Sequence, residues 1–363
     1  MGYNIIGNNA DAVISSQPTD QIGTPAAPID PLLGPLTDNG GPTSTHALLA
    51  GSPAIDHGDP AAPPQDQRGY GRAGVPDVGA FEFAGVAPAT LGNISTRAFV
   101  QTGDNVVIDG FIVQGTEPKR VIIRAIGPEL TQHGVPNAVA DPTLELHNCS
   151  GSLIASNDNW QHTIIGGIIT SDQVHDIVAS GHAPGDPRES AIIAELPPGN
   201  YTAIVRGVDN TTGVALVEAY DLSPETNSIL GNISTRAFVQ TGANVMIGGF
   251  IVQGTQPKRV IIRAIGPELT QHRIPDALAD PTLELHDGSG ALIASNNNWV
   301  HTIIGGIITS NQVRDIVNSG HAPSDPRESA IIANLPPGNY TGIVRGVNNT
   351  TGVALVEVYD LGQ

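Results

Sequence analysis

At 363 residues the chain is long enough for two or three domains, each with a core of its own. It carries 35 acidic against 16 basic residues, and the resulting formal charge of -19 repels phosphate backbones and anionic membrane surfaces, which excludes nucleic acid as a natural partner. With 43 glycines, 29 prolines and 4% aromatic residues the composition is that of short strands and many turns, an all-β chain; its single cysteine, Cys149, excludes an intrachain disulfide or a thiolate metal cluster.

The opening MGYNIIGNNADAV has neither the basic flank nor the apolar stretch of a signal peptide, so no export route is legible there. Nowhere do about 18 apolar residues run together, so no membrane insertion is expected. Residues 1–84 carry turn signals every few positions (IDPLLGPL, DNGGPT, AGSPAID) and close on VGAFEFAGV, without a sandwich pattern of their own. VAPAT, 86–90, reads as the joint to the next domain.

LGNISTRAFVQTG then appears at 91–103 and again at 230–242, and residues 91–222 lie over 230–361 without a gap at about 84% identity. Two copies of one domain are predicted, over 85–222 and 230–363, joined by the spacer SPETNSI at 223–229. In the first copy eight strand-like runs are separated by Gly, Pro, Asn or Asp turns: TRAFVQ, NVVIDGFIVQ, KRVIIRAI, TLELH, SLIAS, ESAIIAEL, NYTAIVRGV and GVALVEAYDL. Eight short strands of this kind predict a jelly-roll-like sandwich of two sheets. One helix is predicted over 172–180, and its equivalent over 311–319, with Ser171 as cap, Val174, Ile177 and Val178 as apolar stripe, and Gly181 as stop. The preceding HTIIGGIIT is expected to lie buried beneath it; the alternative is an apolar loop facing solvent for a partner.

The string DPLLGPLTDNGGPTSTHALLAGSPAID, with DQRGYGR and PDVGAFEF, resembles the C-terminal end of bacterial cell-surface right-handed parallel β-helix proteins of the polymorphic-outer-membrane and choice-of-anchor-like group. GYNIIGN is similar to a last rung of such a helix. The repeated domain resembles a secreted bacterial module that reads GFIVxGTxPKxVxIRAIGPxL, DPxLELHDGSGxLIASNDNW and PPGxYTxIVRGxxxTTGVxLVEVYDL, whose later part is similar to the pre-peptidase C-terminal type of β-sandwich. The resemblance implies a short β-helix-like remnant followed by two tandem sandwiches, in an accessory role at the cell surface or in secreted form.

Ser180, His182, Asp186 and Ser190 crowd into SGHAPGDPRES, but no GxSxG turn accompanies them, and the expectation is a polar loop rather than a catalytic triad. Asp141, Asn157 and Asp158, with Asp280, Asn296 and Asn297 in the second copy, supply oxygen donors of the kind calcium takes, while Asx turns account for them without metal. Trp160 and Trp299 follow Asn/Asp turns and suit either a plug at the sandwich edge or a platform for a surface glycan. The function expected from these residues is a non-catalytic extracellular structural or adhesive protein, a tandem spacer or assembly unit that joins a homo-oligomer or filament neighbour by strand addition. The alternative is a carbohydrate-binding accessory region of a polysaccharide-degrading enzyme.

Overall fold

The computed structural model describes residues 2–10, 13–41, 43–224, 226 and 228–362, and it is nearly all β. The chain divides into two compact units, Met1–Pro88 with Gly254–Gln256, and Ala89–Gln253 with Pro257–Gln363. Of the predicted spacer, Glu225 and Asn227 lie outside the described residues.

In the first unit β1 (Ile5–Ile6) and β2 (Gln21–Ile22) pair in parallel, and β3 (Leu33–Thr37) and β4 (Thr45–Leu48) form an antiparallel pair. The rest is turns. Among the described residues only Leu48 and Ala54 of this unit are buried apolar side chains, whereas Asp66, Arg68, Asp77 and Glu82 are all buried. Buried charges persist only when paired and hydrogen-bonded. Arg68 meets Asp66 at 2.7 Å, and its guanidinium lies between the rings of Tyr70 and Phe81, at 4.1 and 3.6 Å from their centroids. Glu82 pairs with Arg72 at 2.8 Å and accepts the amides of Ala73 and Asp77.

The second unit holds both repeats. The first supplies β5 (Thr90–Val100), β6 (Val107–Gln114), β7 (Lys119–Ile126), β8 (Pro142–Asn148), β9 (Leu153–Asn157), helix α1 (Val174–Ala179), β10 (Ser190–Leu196), β11 (Gly199–Gly207) and β12 (Gly213–Asp221). The second supplies β13 (Ile229–Val239), β14 (Met246–Gln253), β15 (Lys258–Ile265), β16 (Pro281–Asp287), β17 (Leu292–Asn296), helix α2 (Val313–Asn318), β18 (Ser329–Leu335), β19 (Gly338–Gly346) and β20 (Gly352–Asp360). In the first copy β10, β7, β12 and β5 make one antiparallel sheet and β9, β8, β11 and β6 the other. The second copy repeats this arrangement. All eight predicted strands of each copy are present.

The leading strands are shared between copies. β5 pairs with its own β12 through Asn93–Val100 and with β14 of the other copy through Thr90–Arg97. β13 likewise pairs with β20 and with β6 of the first copy. At eleven residues these strands are longer than the eight-residue β6 and β14, and their alternating burial lets one strand serve both sheets. A bulge breaks the β5–β14 register at Gly92, against which the end of the Gln253 side chain packs. The two copies, expected over 85–222 and 230–363, are thus joined through their leading strands as well as through the spacer. Ile123, Leu144 and Leu146 of one copy and Ile262, Leu283 and Leu285 of the other belong to one continuous core. Burying each such side chain stabilises the unit by roughly 1.5–3 kcal/mol.

The helix is shorter than predicted. Ser171 does not cap it; the carboxylate of Asp172 accepts the amide of Val174 at 3.2 Å. Ile177 is 1% exposed and Val178 56%, because a six-residue helix turns little more than one side chain toward the sheet. Gly181 does end it, at φ 74°.

Candidate functional site

The most prominent exposed apolar surface of the second unit is built by the segment expected to be buried. Ile164, Ile165 and Ile168 are 44, 59 and 43% exposed, beside Leu153 at 53%. Their counterparts Ile303, Ile304, Ile307 and Leu292 repeat the pattern. The base of the loop is tied where Thr163 Oγ1 donates to Asp172 at 2.7 Å and accepts the amide of Gln173 at 2.8 Å. At its tip Gly166 and Ile169 exchange two backbone hydrogen bonds of 2.9 Å, and the amide of Ile168 donates to the carbonyl of Ile154 on β9.

Gly167 makes that docking feasible. It sits at φ 56°, and a Cβ there would meet the Ile154 carbonyl oxygen at 2.0 Å. Held this way, the loop buries Ile169 and turns its other isoleucines outward. Between loop and strand lies a shallow groove of about 130 Å³, lined by Leu153, Ile154, Ala155, Ser156, Ile164 and the two glycines. The second copy has an equivalent groove of about 140 Å³. β9 and β17, which carry the grooves, are the two ends of the ten-strand path that runs through both repeats.

The residues singled out from sequence fall elsewhere. Ser190 is fully buried, and its hydroxyl lies 2.7 Å from the Pro142 carbonyl and 2.8 Å from that of Asp158. Ser180 donates to the Ile177 carbonyl, Asp186 holds Arg188 at 2.8 Å, and His182 stacks on Tyr220 with centroids 4.2 Å apart. The four do not converge. Glu189, also fully buried, accepts the amides of Gly127, Glu129 and Asp186; burial raises its pKa against the pull of those bonds.

Trp160 is 8% exposed, packed with Ile122, Ile177 and Ile193, and its indole N–H donates to the Asp186 carbonyl at 3.1 Å. Trp299 is partly buried against the equivalent cluster and donates to the Asp325 carbonyl at 3.0 Å. This packing suits the plug reading, with Trp160 more fully covered than Trp299.

Asn157 and Asn296 are spent as well. Asn157 donates to the His162 carbonyl and accepts the Ala191 amide, and Asn296 does the same with His301 and Ala330. One carboxylate oxygen each of Asp141, Asp158 and Asp280, and the amide oxygen of Asn297, are buried without a hydrogen-bond partner. Burial, and then the charge of Asp158, raise the pKa of Asp141; burial raises that of Asp280. No group of three His, Cys, Asp or Glu placed to hold a metal exists among the described residues.

One cluster escaped the sequence reading. Arg124 pairs with Glu218 and donates to the His182 carbonyl at 2.8 Å, while the Tyr220 hydroxyl donates to Glu218 at 2.7 Å. Burial and then Glu218 push the Tyr220 pKa up to about 12. Arg263, Glu357, Tyr359 and His321 repeat it. Its signal was the polar residue at alternate positions of IIRAI and LVEAY, facing away from the main core.

No family's sequence profile matches the chain, and no curated protein does. Among solved structures, a DUF4785 family protein from Legionella pneumophila aligns over 76% of this chain and 81% of that one, at 8% identity and a TM-score of 0.23. So low a score carries no argument about fold or function.

Proposed function

We propose that the chain is a non-catalytic structural and adhesive element of a secreted or cell-surface protein, acting as an assembly unit rather than an enzyme. The observation that carries this reading is the pair of matching apolar grooves at the two ends of one strand-shared unit. An apolar surface that is built twice, on outermost strands, suits end-to-end association by strand addition. A head-to-tail contact of that kind extends into a filament unless its rotation closes a ring. The likeness of the repeats to secreted accessory modules supports the same reading, as does the dispersal of Ser190, His182 and Asp186 into a hydrogen bond, a ring stack and an ion pair with unrelated partners. The burial of Trp160 favours this reading over the carbohydrate-binding alternative.

Sedimentation of the full chain over a wide concentration range tests the proposal. Association that grows with concentration and is abolished by the double variant Ile165→Asp, Ile304→Asp, with far-UV spectra unchanged, is expected. A chain that stays monomeric throughout, or a double variant that associates like the parent, would overturn it.

A further inference from the structure

Where the leading strands cross between copies, the core holds one carboxyl group. Asp109 on β6 is 0% exposed, and one of its oxygens has no hydrogen-bond partner. The other lies 2.5 Å from the hydroxyl of Thr235 on β13, which lies 2.7 Å from the hydroxyl of Thr96 on β5. The chain Asp109–Thr235–Thr96 thus links a core strand of the first copy to both leading strands. The second copy has no such link: Gly248 stands where Asp109 would be, directly opposite Thr96.

No charge faces this carboxyl. On the strands beside it, Arg236 follows Thr235 and Arg97 follows Thr96, so both turn to the opposite face, where burial lowers their pKa values. On β11, the residue across from Asp109 is Ala203; Tyr201 shares its face, but the hydroxyl donates to the Pro197 carbonyl. From the covering sheet, β7 and β12 present Val121, Ile123, Val217 and Ala219 to the same core, while Lys119 pairs with Asp221 and Arg124 with Glu218. On β10 Ile192 and Ala194 are buried in that core and Glu195 is exposed; on β20 Glu357 pairs with Arg263. Burial pushes the carboxyl up to about 7 even against the Thr235 hydrogen bond.

We infer that Asp109, Thr235 and Thr96 form a proton-operated clasp between the two repeats, closed while the carboxyl is neutral and loosened when it is charged. A neutral carboxyl acts as donor or acceptor to Thr235 at little desolvation cost. Its anion leaves an uncompensated charge in an apolar core. The folded pKa lies above the ordinary 3.8, so the contribution to stability is complete below that value and is lost as pH rises toward about 7. Across this interval the seam's opening equilibrium should grow about tenfold per pH unit and level off above it.

The test uses the full chain. Hydrogen exchange at the amides of Ser234, Thr235 and Arg236, corrected for intrinsic rates, is compared between pH 5 and 8 for the parent and for Asp109→Asn. The parent should lose protection about tenfold per unit up to neutrality, and the variant should show no such slope. Parallel profiles would overturn the inference. If Asp109→Asn does not fold, the carboxyl carbon shift of Asp109 in the parent decides: a midpoint near neutrality is expected, and one in the ordinary carboxylate range refutes the clasp.

Discussion

The two units of this chain solve the same problem with opposite materials. The strand-rich unit buries a continuous apolar core drawn from sixteen strands, whereas the N-terminal unit, with hardly any regular structure, buries Asp66, Arg68, Asp77 and Glu82. Apolar burial is tolerant of exchange, since Val for Ile costs a methylene. A buried ionic network is not, because removing one partner strands the other in a medium that cannot solvate it.

The largest effect should follow from breaking that network. Arg68→Met leaves the fully buried carboxylate of Asp66 without its partner and should cost the N-terminal unit about 3–5 kcal/mol. Denaturant titration with hydrogen exchange at the Gly69 and Tyr70 amides reads it; a loss under about 1 kcal/mol would show the network to be ornamental. In the strand-rich unit, Ile123→Val and its counterpart Ile262→Val should each cost only about 0.5–1.5 kcal/mol, and equally. A marked inequality between the two would show that the copies are packed less alike than their shared core implies.

Acidity should separate the units more gently. Burial pushes Asp66 up, but Arg68 and the amides of Glu82, Arg68 and Tyr70 outweigh it and hold the carboxyl below its ordinary value of 3.8. The stability it confers is complete above that value and is lost as pH falls through the lower folded pKa. Asp77 runs the other way: burial first, then the charges of Glu82 and Asp56, raise it, so its contribution is complete below 3.8 and fades as pH climbs through the raised folded pKa. The N-terminal unit should therefore be firmest in weak acid, and Asp77→Asn should flatten the upper limb of its pH–stability curve. An unchanged limb would place the burden on other groups.

The smallest effect expected is none at all. Millimolar calcium, or its removal by chelator, should leave the melting temperature of the strand-rich unit where it is, since Asp141 and Asp158 stand beside asparagines already engaged. A calcium-dependent rise in the parent that disappears in Asp158→Asn would restore a metal to that turn.

Strand identity and order were legible because the pattern of alternate burial is carried by the residues themselves, as in TLELH, where Leu144 and Leu146 face the core. Exchange of the leading strands was not. LGNISTRAFV is identical in both copies, so the leading strand itself carries no pattern that tells which copy it pairs with. The apolar loop was misplaced for another reason. Hydrophobicity argued for burial of IIGGII, but the positive φ of Gly167 and its approach to the Ile154 carbonyl, which turn the isoleucines outward, are properties of backbone geometry. Asn157 looked like a ligand because its amide partners, the His162 carbonyl and the Ala191 amide, include one more than thirty residues away.

Shared leading strands also set a timetable for synthesis. β6 cannot cover its outer edge until Ile229–Val239 has been made, and β5 waits for Met246–Gln253. At about 5–20 residues per second the stretch from Asp221 to Gln253 takes roughly 2–6 seconds, and for that time the first repeat stands with an open sheet edge. During that interval a neighbouring nascent chain can offer the same ten residues to the same edge. The intramolecular partner prevails through proximity, so crowding of chains on one message, rather than any change of sequence, is the circumstance that would favour strand exchange between molecules over exchange within one.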